Sequence, residues 1–222
     1  MGNVEEKDTT YRLTRTTTFN GRVEPIWMHF SKTKGKRGML GSFFEKRRVK
    51  ALISAIHDNL AAQRANGGTN WDREDGECIA NMKVDKMGFL QELRNAVSRK
   101  IPSSQMSRVE HFTRVREWNA FFIPIDFALP FDIPGANAKE VIPVGSSVRL
   151  LQELALIGEV LGAGKKMNVQ KMPGFMQMKA EDVEKADQKA VHDATFWPVF
   201  SFCILKKLAD LSVEKNLPIV LA

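Results

Sequence analysis

The run WNAFFIPIDFALPF at residues 118–131 is the feature that most restricts how this chain can fold. It is the most apolar stretch of the sequence, and prolines punctuate its second half and the residues that follow. A short apolar run bounded in this way is typical of a strand that is buried in a sheet. The run therefore predicts a buried strand that ends in a proline-rich loop, with helices packed over the sheet.

Amphipathic patterns supply helices to pack on that sheet. Ser42 and Glu45 match the S-x-x-E capping box, which predicts a helix that starts there and runs to about residue 64. Its apolar stripe recurs at i, i+3, i+4, i+7 and i+11, as Val49, Leu52, Ile53, Ile56 and Leu60. Similar patterns predict helices at 89–101, 147–161, 181–195 and from Pro198 onward, whereas 103–117 fits either a short helix or a strand.

The N-terminal residues 9–30 suggest a β-hairpin. A β-branched run leads to Asn20-Gly21, the strongest short hairpin turn, and Pro25 places the return strand at a sheet edge or a bulge. Further strands are predicted at 78–84, 140–144 and 217–221. The predicted fold class is α/β or α+β, a mixed sheet with an N-terminal β-hairpin and about five helices packed on it. We predict a single globular domain over 1–222, with a possible sub-boundary in 162–178.

Positive charge is concentrated between residues 31 and 50. This stretch holds eight basic residues and one acid, so its charge equals the formal net charge of +7 for the whole chain. Residues 1–66 hold 13 basic and 6 acidic side chains, and the remainder holds 20 of each. A basic surface of this kind attracts polyanions. The predicted anion-binding residues are Lys32, Lys34, Lys36, Arg37, Ser42, Arg47, Arg48 and Lys50.

The glycines at 35, 38 and 41 predict a loop next to a helix N-terminus, where a phosphate or another oxyanion can bind. Neither nucleotide-binding fingerprint is met, because both G-x-x-x-x-G-K-[ST] and G-x-G-x-x-G are missing from the sequence. The alternative is that the cations form the solvated face of an ordinary helix. Both interpretations remain open at this point.

Two carboxylates interrupt the apolar run and its loop. Asp126 and Asp132 lie among aromatic and aliphatic residues, where a carboxylate is costly unless it is paired. They are therefore the predicted catalytic or ligand-binding acids, although residues beside Pro124, Pro130 and Pro134 also fit turn or cap positions. His111 is the lone histidine of residues 103–117 and is interpreted as a packed or exposed imidazole rather than a catalytic one.

Other sequence features limit the cofactors, metals and cellular locations that we expect for this chain. The two cysteines, Cys78 and Cys203, are far apart and suggest reduced, buried thiols. Neither a zinc-ligand spacing nor a cofactor-binding loop is present, so we predict no metal and no cofactor. The N-terminus lacks a signal-peptide core, and no stretch has the length and apolarity of a spanning helix. We expect a soluble, cytoplasmic protein with no membrane association.

Three functions are compatible with these patterns. The leading hypothesis is a non-enzymatic binding or assembly protein whose basic N-terminal third contacts a polyanion, such as nucleic acid or a phosphate-bearing ligand, or an acidic protein partner. The first alternative is an enzyme that acts on a small anionic substrate with Asp126 or Asp132 as acid or base. The second is a protein–protein interaction module or oligomer subunit that uses the Met-rich segment 165–179 and exposed tryptophans, Trp27 or Trp71. Oligomeric state, strand order and ligand identity stay open.

Overall fold

A computed structural model describes residues 19–32, 39–65, 70–115, 119–135, 140–163 and 167–222, and these ranges contain seven strands and seven α-helices. The strands are β1 (Phe19–Val23), β2 (Ala80–Val84), β3 (Ala120–Ile123), β4 (Phe131–Pro134), β5 (Val141–Ser146), β6 (Phe175–Met178) and β7 (Ile219–Leu221). The helices are α1 (Ile26–Lys32), α2 (Met39–Ala62), α3 (Phe89–Lys100), α4 (Glu110–Arg114), α5 (Ser147–Leu161), α6 (Ala180–His192) and α7 (Phe196–Lys215). Two 3-10 helices, Ser103–Val109 and Val169–Lys171, complete the list.

The seven strands form one mixed sheet in the order β4-β5-β3-β7-β1-β2-β6. The pairs β3/β5 and β2/β6 are parallel, and the other neighbours are antiparallel. Strand β7 lies in the middle of this sheet, between β3 and β1. The predicted fold class, a mixed sheet with helices packed on it, is confirmed, and the strand from the N-terminal region is part of that sheet.

Strand β3 is buried on both faces, as the apolar run predicted. Successive side chains of a strand point to opposite faces. Ala120 and Phe122 belong to a core cluster shared with α3, α5 and α7, whereas Phe121 and Ile123 belong to a second cluster with α2. The two clusters show that helices cover both faces of the sheet around β3. This is why the sequence of the strand is apolar at every position.

The hairpin turn predicted at Asn20-Gly21 is wrong. Both residues lie inside β1, where Gly21 is opposite Met82 of β2 and Leu221 of β7. A Cβ at Gly21 would lie only 2.6 Å from Leu208 Cδ1 of α7, so the glycine allows a helix to approach the strand. The segment after Pro25 forms helix α1 instead of a return strand. The predicted strand at residues 9–18 lies outside the described residues.

Helix α2 confirms the predicted apolar stripe but not the predicted start. Val49, Leu52 and Ile56 are buried, together with Ile53 and Leu60. The helix begins at Met39, so Ser42 is already within it and is not an N-cap residue. Helix α5 follows its prediction closely, because Ser146 Oγ accepts the amide N–H of Arg149 at the N-cap and Gly162 ends the helix in the left-handed region with φ of 63°.

Candidate functional site

The described part of the basic stretch lies on α2. Lys46, Arg47, Arg48 and Lys50 are all exposed and spread around the helix outside its buried stripe, with Lys46 and Lys50 on one flank and Arg48 on the other. None of the four is ion-paired with a residue in the described ranges, and Arg48 lies over the ring of Phe30 at 5.3 Å from its centroid. Lys34, Lys36 and Arg37, and the side chains of Lys32 and Ser42, lie outside the described structure. Anion binding by this set stays a prediction.

Asp126 and Asp132 are both paired with arginine at the surface. Asp126 Oδ1 accepts a hydrogen bond from Arg149 Nε at 2.5 Å, and Asp132 Oδ2 accepts one from Arg114 Nη2 at 3.4 Å. Their side chains are 52% and 42% exposed, because the apolar neighbours in the sequence point inward and the aspartates point out. Their catalytic role stays a prediction, but the two carboxylates have different partners.

A pocket of about 320 Å³ lies next to Arg149, between α5 and the helical segment 103–114. Arg149, Gln152, Glu153 and Leu156 form one wall, since residues at i, i+3, i+4 and i+7 share a helix face. The opposite wall contains Ser107, Arg108, Glu110 and His111, and Ala128 and Leu129 close one end. The pocket therefore joins two basic, two acidic and one imidazole side chain in one concave place, which is a common feature of ligand sites.

Glu153 is a buried acid on the wall of this pocket. It is 7% exposed, and its two carboxylate oxygens accept the amide N–H groups of His111 at 2.9 Å and Phe112 at 2.7 Å. These amides belong to the first turn of α4, where backbone donors have no partner within the helix. Burial raises the pKa of Glu153 to about 7, although the two amide hydrogen bonds oppose that shift. Glu153 thus ties α5 to α4.

The imidazole of His111 is buried beside Glu153 and is held by backbone groups on both sides. Nδ1 accepts the amide N–H of Ser146 at 2.9 Å, which leaves the proton on Nε2 to be donated to the carbonyl of Ala128 at 3.2 Å. Desolvation by burial lowers the pKa of His111, with Arg149 acting in the same direction. The neutral ring therefore connects α4 to the end of β5 and to the loop before β4, as expected for a packed histidine.

Glu153 was not among the acids that the sequence indicated. A signal was present, because it is the only acid between residues 141 and 158 and lies at i−4 from Ile157 and i+3 from Leu150 on the apolar face of α5. A lone carboxylate in a buried stripe indicates a partner supplied by another element. That partner is the backbone of α4, whose position the sequence did not fix.

Helix α6 presents the densest row of acids among the described helices. Glu181, Glu184 and Asp187 are exposed, while Val183 and Ala186 face the core. Asp187 binds Lys86 Nζ at 2.9 Å and accepts Trp197 Nε1–H at 2.6 Å, so it is partly neutralised. Glu181 and Glu184 have no side-chain partner within the described residues. Val191, on the same side of the helix, is 80% exposed.

The surface proposed from the tryptophans and methionines is mostly internal. Trp71 is fully buried, so its predicted exposure is wrong, and Trp27 is half-buried with Nε1 donating to the carbonyl of Asp72. Met167, Met172, Met176 and Met178 are partly buried against the main core, which fits the filling of gaps. Oligomer formation through these residues stays a prediction.

Within the described ranges, no group of three or more His, Cys, Asp or Glu side chains is arranged to hold a metal ion. Among the same residues, no helix combines the length and the apolarity needed to cross a membrane.

The fold and the site define an α/β protein with a mixed seven-stranded sheet and a charged pocket between two helical segments. The chain belongs to the family described as "Putative DNA-mimic protein", whose model matches residues 75–221. Neither the curated proteins nor the solved structures gave a match. The matched part contains 19 basic and 18 acidic side chains, so most of the positive surplus of the chain precedes it.

Proposed function

We propose that this protein binds DNA-binding proteins through carboxylates that occupy the partner's phosphate-binding surface. The family match over residues 75–221 carries the proposal, because the family is described as a DNA mimic. The chain as a whole is basic and the matched part is close to neutral. Mimicry must therefore come from a local acidic surface and not from overall acidity. This proposal makes the partner a basic protein, in place of the nucleic acid or acidic partner expected from the sequence.

Helix α6 is the described element that best fits such a surface. Glu181, Glu184 and Asp187 follow one another at intervals of three residues, which is about 4.5 Å along the helix axis. One strand of B-DNA carries a phosphate every 3.4 Å or so of its axis. The row therefore has a charge spacing of the same order as a DNA strand, and Glu181 and Glu184 are free to meet lysines or arginines of a partner.

The first prediction is that the intact chain displaces duplex DNA from a DNA-binding protein, and that the double variant Glu181→Gln/Glu184→Gln does so about tenfold less well. Loss of two exposed charge contacts of at most about 1 kcal/mol each gives an effect of this size. Glutamine keeps side-chain length and helix propensity, so the fold should be unaffected. The measurement is fluorescence anisotropy of a labelled duplex bound to a nucleoid protein without sequence preference, and to a helix-turn-helix repressor.

Glu159→Gln is the matched control, since Glu159 is an exposed acid on α5 without a side-chain partner in the described structure. It should displace DNA as the native chain does. Displacement that the double variant retains in full would show mimicry through another surface and would remove α6 from the proposal. If the native chain displaces DNA from neither protein, the proposed function is contradicted.

A second candidate function rests on the exposed cations of α2. Lys46, Arg47 and Lys50 are solvent-facing and unpaired with any residue that the structure describes, so phosphates can approach them. We propose this basic face as a contact for a polyanion such as nucleic acid, as the charge of residues 31–50 predicted. The two functions are compatible, because the acidic row and the basic face belong to different helices.

Direct contact with nucleic acid predicts that the chain alone binds labelled duplex, with an affinity that falls steeply as salt rises. Each phosphate neutralised contributes about 0.9 to the slope of log K against log salt. The triple variant Lys46→Gln/Arg47→Gln/Lys50→Gln should lose up to about three contacts and flatten the slope by about 2 to 3. Arg99→Gln, an exposed arginine of α3, should leave the slope unchanged. An affinity for the duplex that does not change with salt would argue against this contact. So would a slope of log K against log salt that is the same in the triple variant and the native chain.

A further inference from the structure

The pocket beside Glu153 has the dimensions of a small-molecule site. Its volume of about 320 Å³ is at the lower end of the range found for ligand pockets, about 300–1,000 Å³. Its walls come from three separate parts of the chain: α5, the segment 107–111 and residues 128–129. Because the family match and the DNA-mimic proposal concern a protein surface, neither gives this cavity a role.

The walls are held in place by hydrogen bonds that do not need a ligand. Glu153 fixes α4 against α5, and His111 fixes α4 to the end of β5 and to the loop after β3. The far end of the pocket is fixed by Gln63 at the end of α2. Its side chain donates to the carbonyl of Leu129 at 2.8 Å and accepts the amide N–H of Leu129 at 3.0 Å. The cavity is therefore preorganised, which lowers the entropic cost of binding.

Two guanidinium groups lie on opposite walls. Arg149 is oriented by the bond from its Nε to Asp126, and its Nη1 is 3.5 Å from Gln152 Oε1, at the limit of a hydrogen bond. The Nη donors are thus available on the pocket side. Arg108 is exposed and without an ion-pair partner in the described ranges. Guanidinium groups favour planar oxyanions, which they can bind with two parallel hydrogen bonds.

The rest of the lining determines what kind of anion fits. Glu110 lines the pocket and Asp126 is paired with Arg149, so the two arginines are already balanced and a single added negative charge is tolerated better than the double charge of a phosphate. Leu129 is 56% exposed although it is a large apolar side chain, and it shares the pocket with Leu156 and Ala128. A ligand with an apolar body would cover this surface.

We propose that this pocket binds a small organic carboxylate, with its carboxylate between Arg108 and Arg149 and its apolar part against Leu129 and Leu156. The site is separate from α6 and independent of the proposed function. The two arginines require an oxyanion, so the neutral amide that has the same shape as the carboxylate ligand should bind poorly.

Titration of the isotope-labelled full chain with benzoate, followed by amide chemical shifts at about pH 6, tests the site. Benzoate should shift amides of residues 107–112 and 149–156 with a Kd of about 1 mM or lower. Arg108→Gln should weaken binding about tenfold, since one charge-assisted hydrogen bond is lost. Arg47→Gln, an exposed arginine on α2, should bind benzoate like the native chain.

Two further titrations decide between ligand classes. Benzamide that shifts the same amides as strongly as benzoate would overturn the requirement for an anion, and tighter binding of phenyl phosphate would overturn the choice of a carboxylate. Shifts confined to other parts of the chain, or unchanged affinity in Arg108→Gln, would overturn the site itself. Weak benzamide binding, weaker phenyl phosphate binding and the Arg108→Gln loss together support it.

Discussion

Replacement of Glu153 by Ala is expected to lower the free energy of unfolding by about 3 kcal/mol. The substitution leaves the amide N–H groups of His111 and Phe112 buried without an acceptor, and each unpaired donor costs on the order of 1–3 kcal/mol. Part of that cost is offset because a buried carboxylate is no longer desolvated. Urea unfolding followed by circular dichroism measures the change.

Glu153→Gln is the variant to compare with Glu153→Ala. Glutamine has one carbonyl oxygen that can accept one of the two amides, while its NH₂ group faces the other donor, so we expect a loss of about 1–2 kcal/mol. Glu159→Gln, at the exposed face of the same helix, should change stability by less than about 0.5 kcal/mol. If Glu153→Ala were as mild as Glu159→Gln, the carboxylate would not be needed to hold α4.

The pH dependence separates the native chain from Glu153→Gln. Because burial raises the pKa of Glu153 from 4.5 to about 7, the folded state holds this proton more tightly than the unfolded state between these values. Stability from this group is therefore greatest below pH 4.5 and is lost as pH rises toward 7, by at most about 1.4 kcal/mol per pH unit. The advantage of the native chain over Glu153→Gln should grow as pH falls from 7 to 5.

His111 acts in the opposite direction on the same element. Its lowered pKa means that the unfolded chain takes up a proton more readily below about pH 6.5, so acid removes stability there. In the native chain the two effects partly cancel. In Glu153→Gln only the histidine contribution remains, so stability should decline more steeply with acid. Equal pH profiles for the two proteins would contradict the raised pKa of Glu153.

Patterns within one element were enough to predict the fold class and several of its elements. The stripe from Val49 to Leu60, the apolar run of β3 and the Ser146 and Gly162 ends of α5 each depend on neighbouring residues in sequence, so local reasoning succeeds. The two strands that were missed, β4 and β6, are the edges of the sheet and only four residues long. Prolines beside them indicated loops, yet edge strands tolerate proline because one side of their backbone is unpaired.

Long-range contacts account for the other errors. Asn20-Gly21 has the local chemistry of a turn, but Gly21 is required by the approach of Leu208, nearly two hundred residues later in the sequence. The candidate site shows the same limit. Asp126 reaches the pocket only through its hydrogen bond to Arg149, and its predicted role stays a prediction. Glu153, His111 and Arg108 line the same pocket because α4 packs against α5. The spacing of residues in the sequence does not indicate which distant side chains come together in the fold.

Replacement of Trp71 by Ala is expected to cost about 4 kcal/mol, the largest effect of a single substitution predicted for this protein. The indole is fully buried in the second core cluster, with residues of α2, β4 and β5, and its ring centroid lies 5.5 Å from that of His57. The next residue, Asp72, binds His57 Nε2 at 2.9 Å. Loss of the indole leaves a cavity between α2 and the sheet that the neighbouring side chains cannot fill.

Trp27→Phe is the matched control, because Trp27 is half-buried in the same layer. This variant loses the hydrogen bond to the Asp72 carbonyl, worth about 1 kcal/mol, and only part of the packing of a side chain that is not fully buried. Trp71→Phe should fall between the two variants, at about 1–3 kcal/mol, since a smaller ring keeps part of the packing. Urea midpoints at constant m-value provide the comparison. A Trp71→Ala variant no less stable than Trp27→Phe would mean that Trp71 is accessible in solution, as the sequence first suggested, and that α2 is not anchored to the sheet through this side chain.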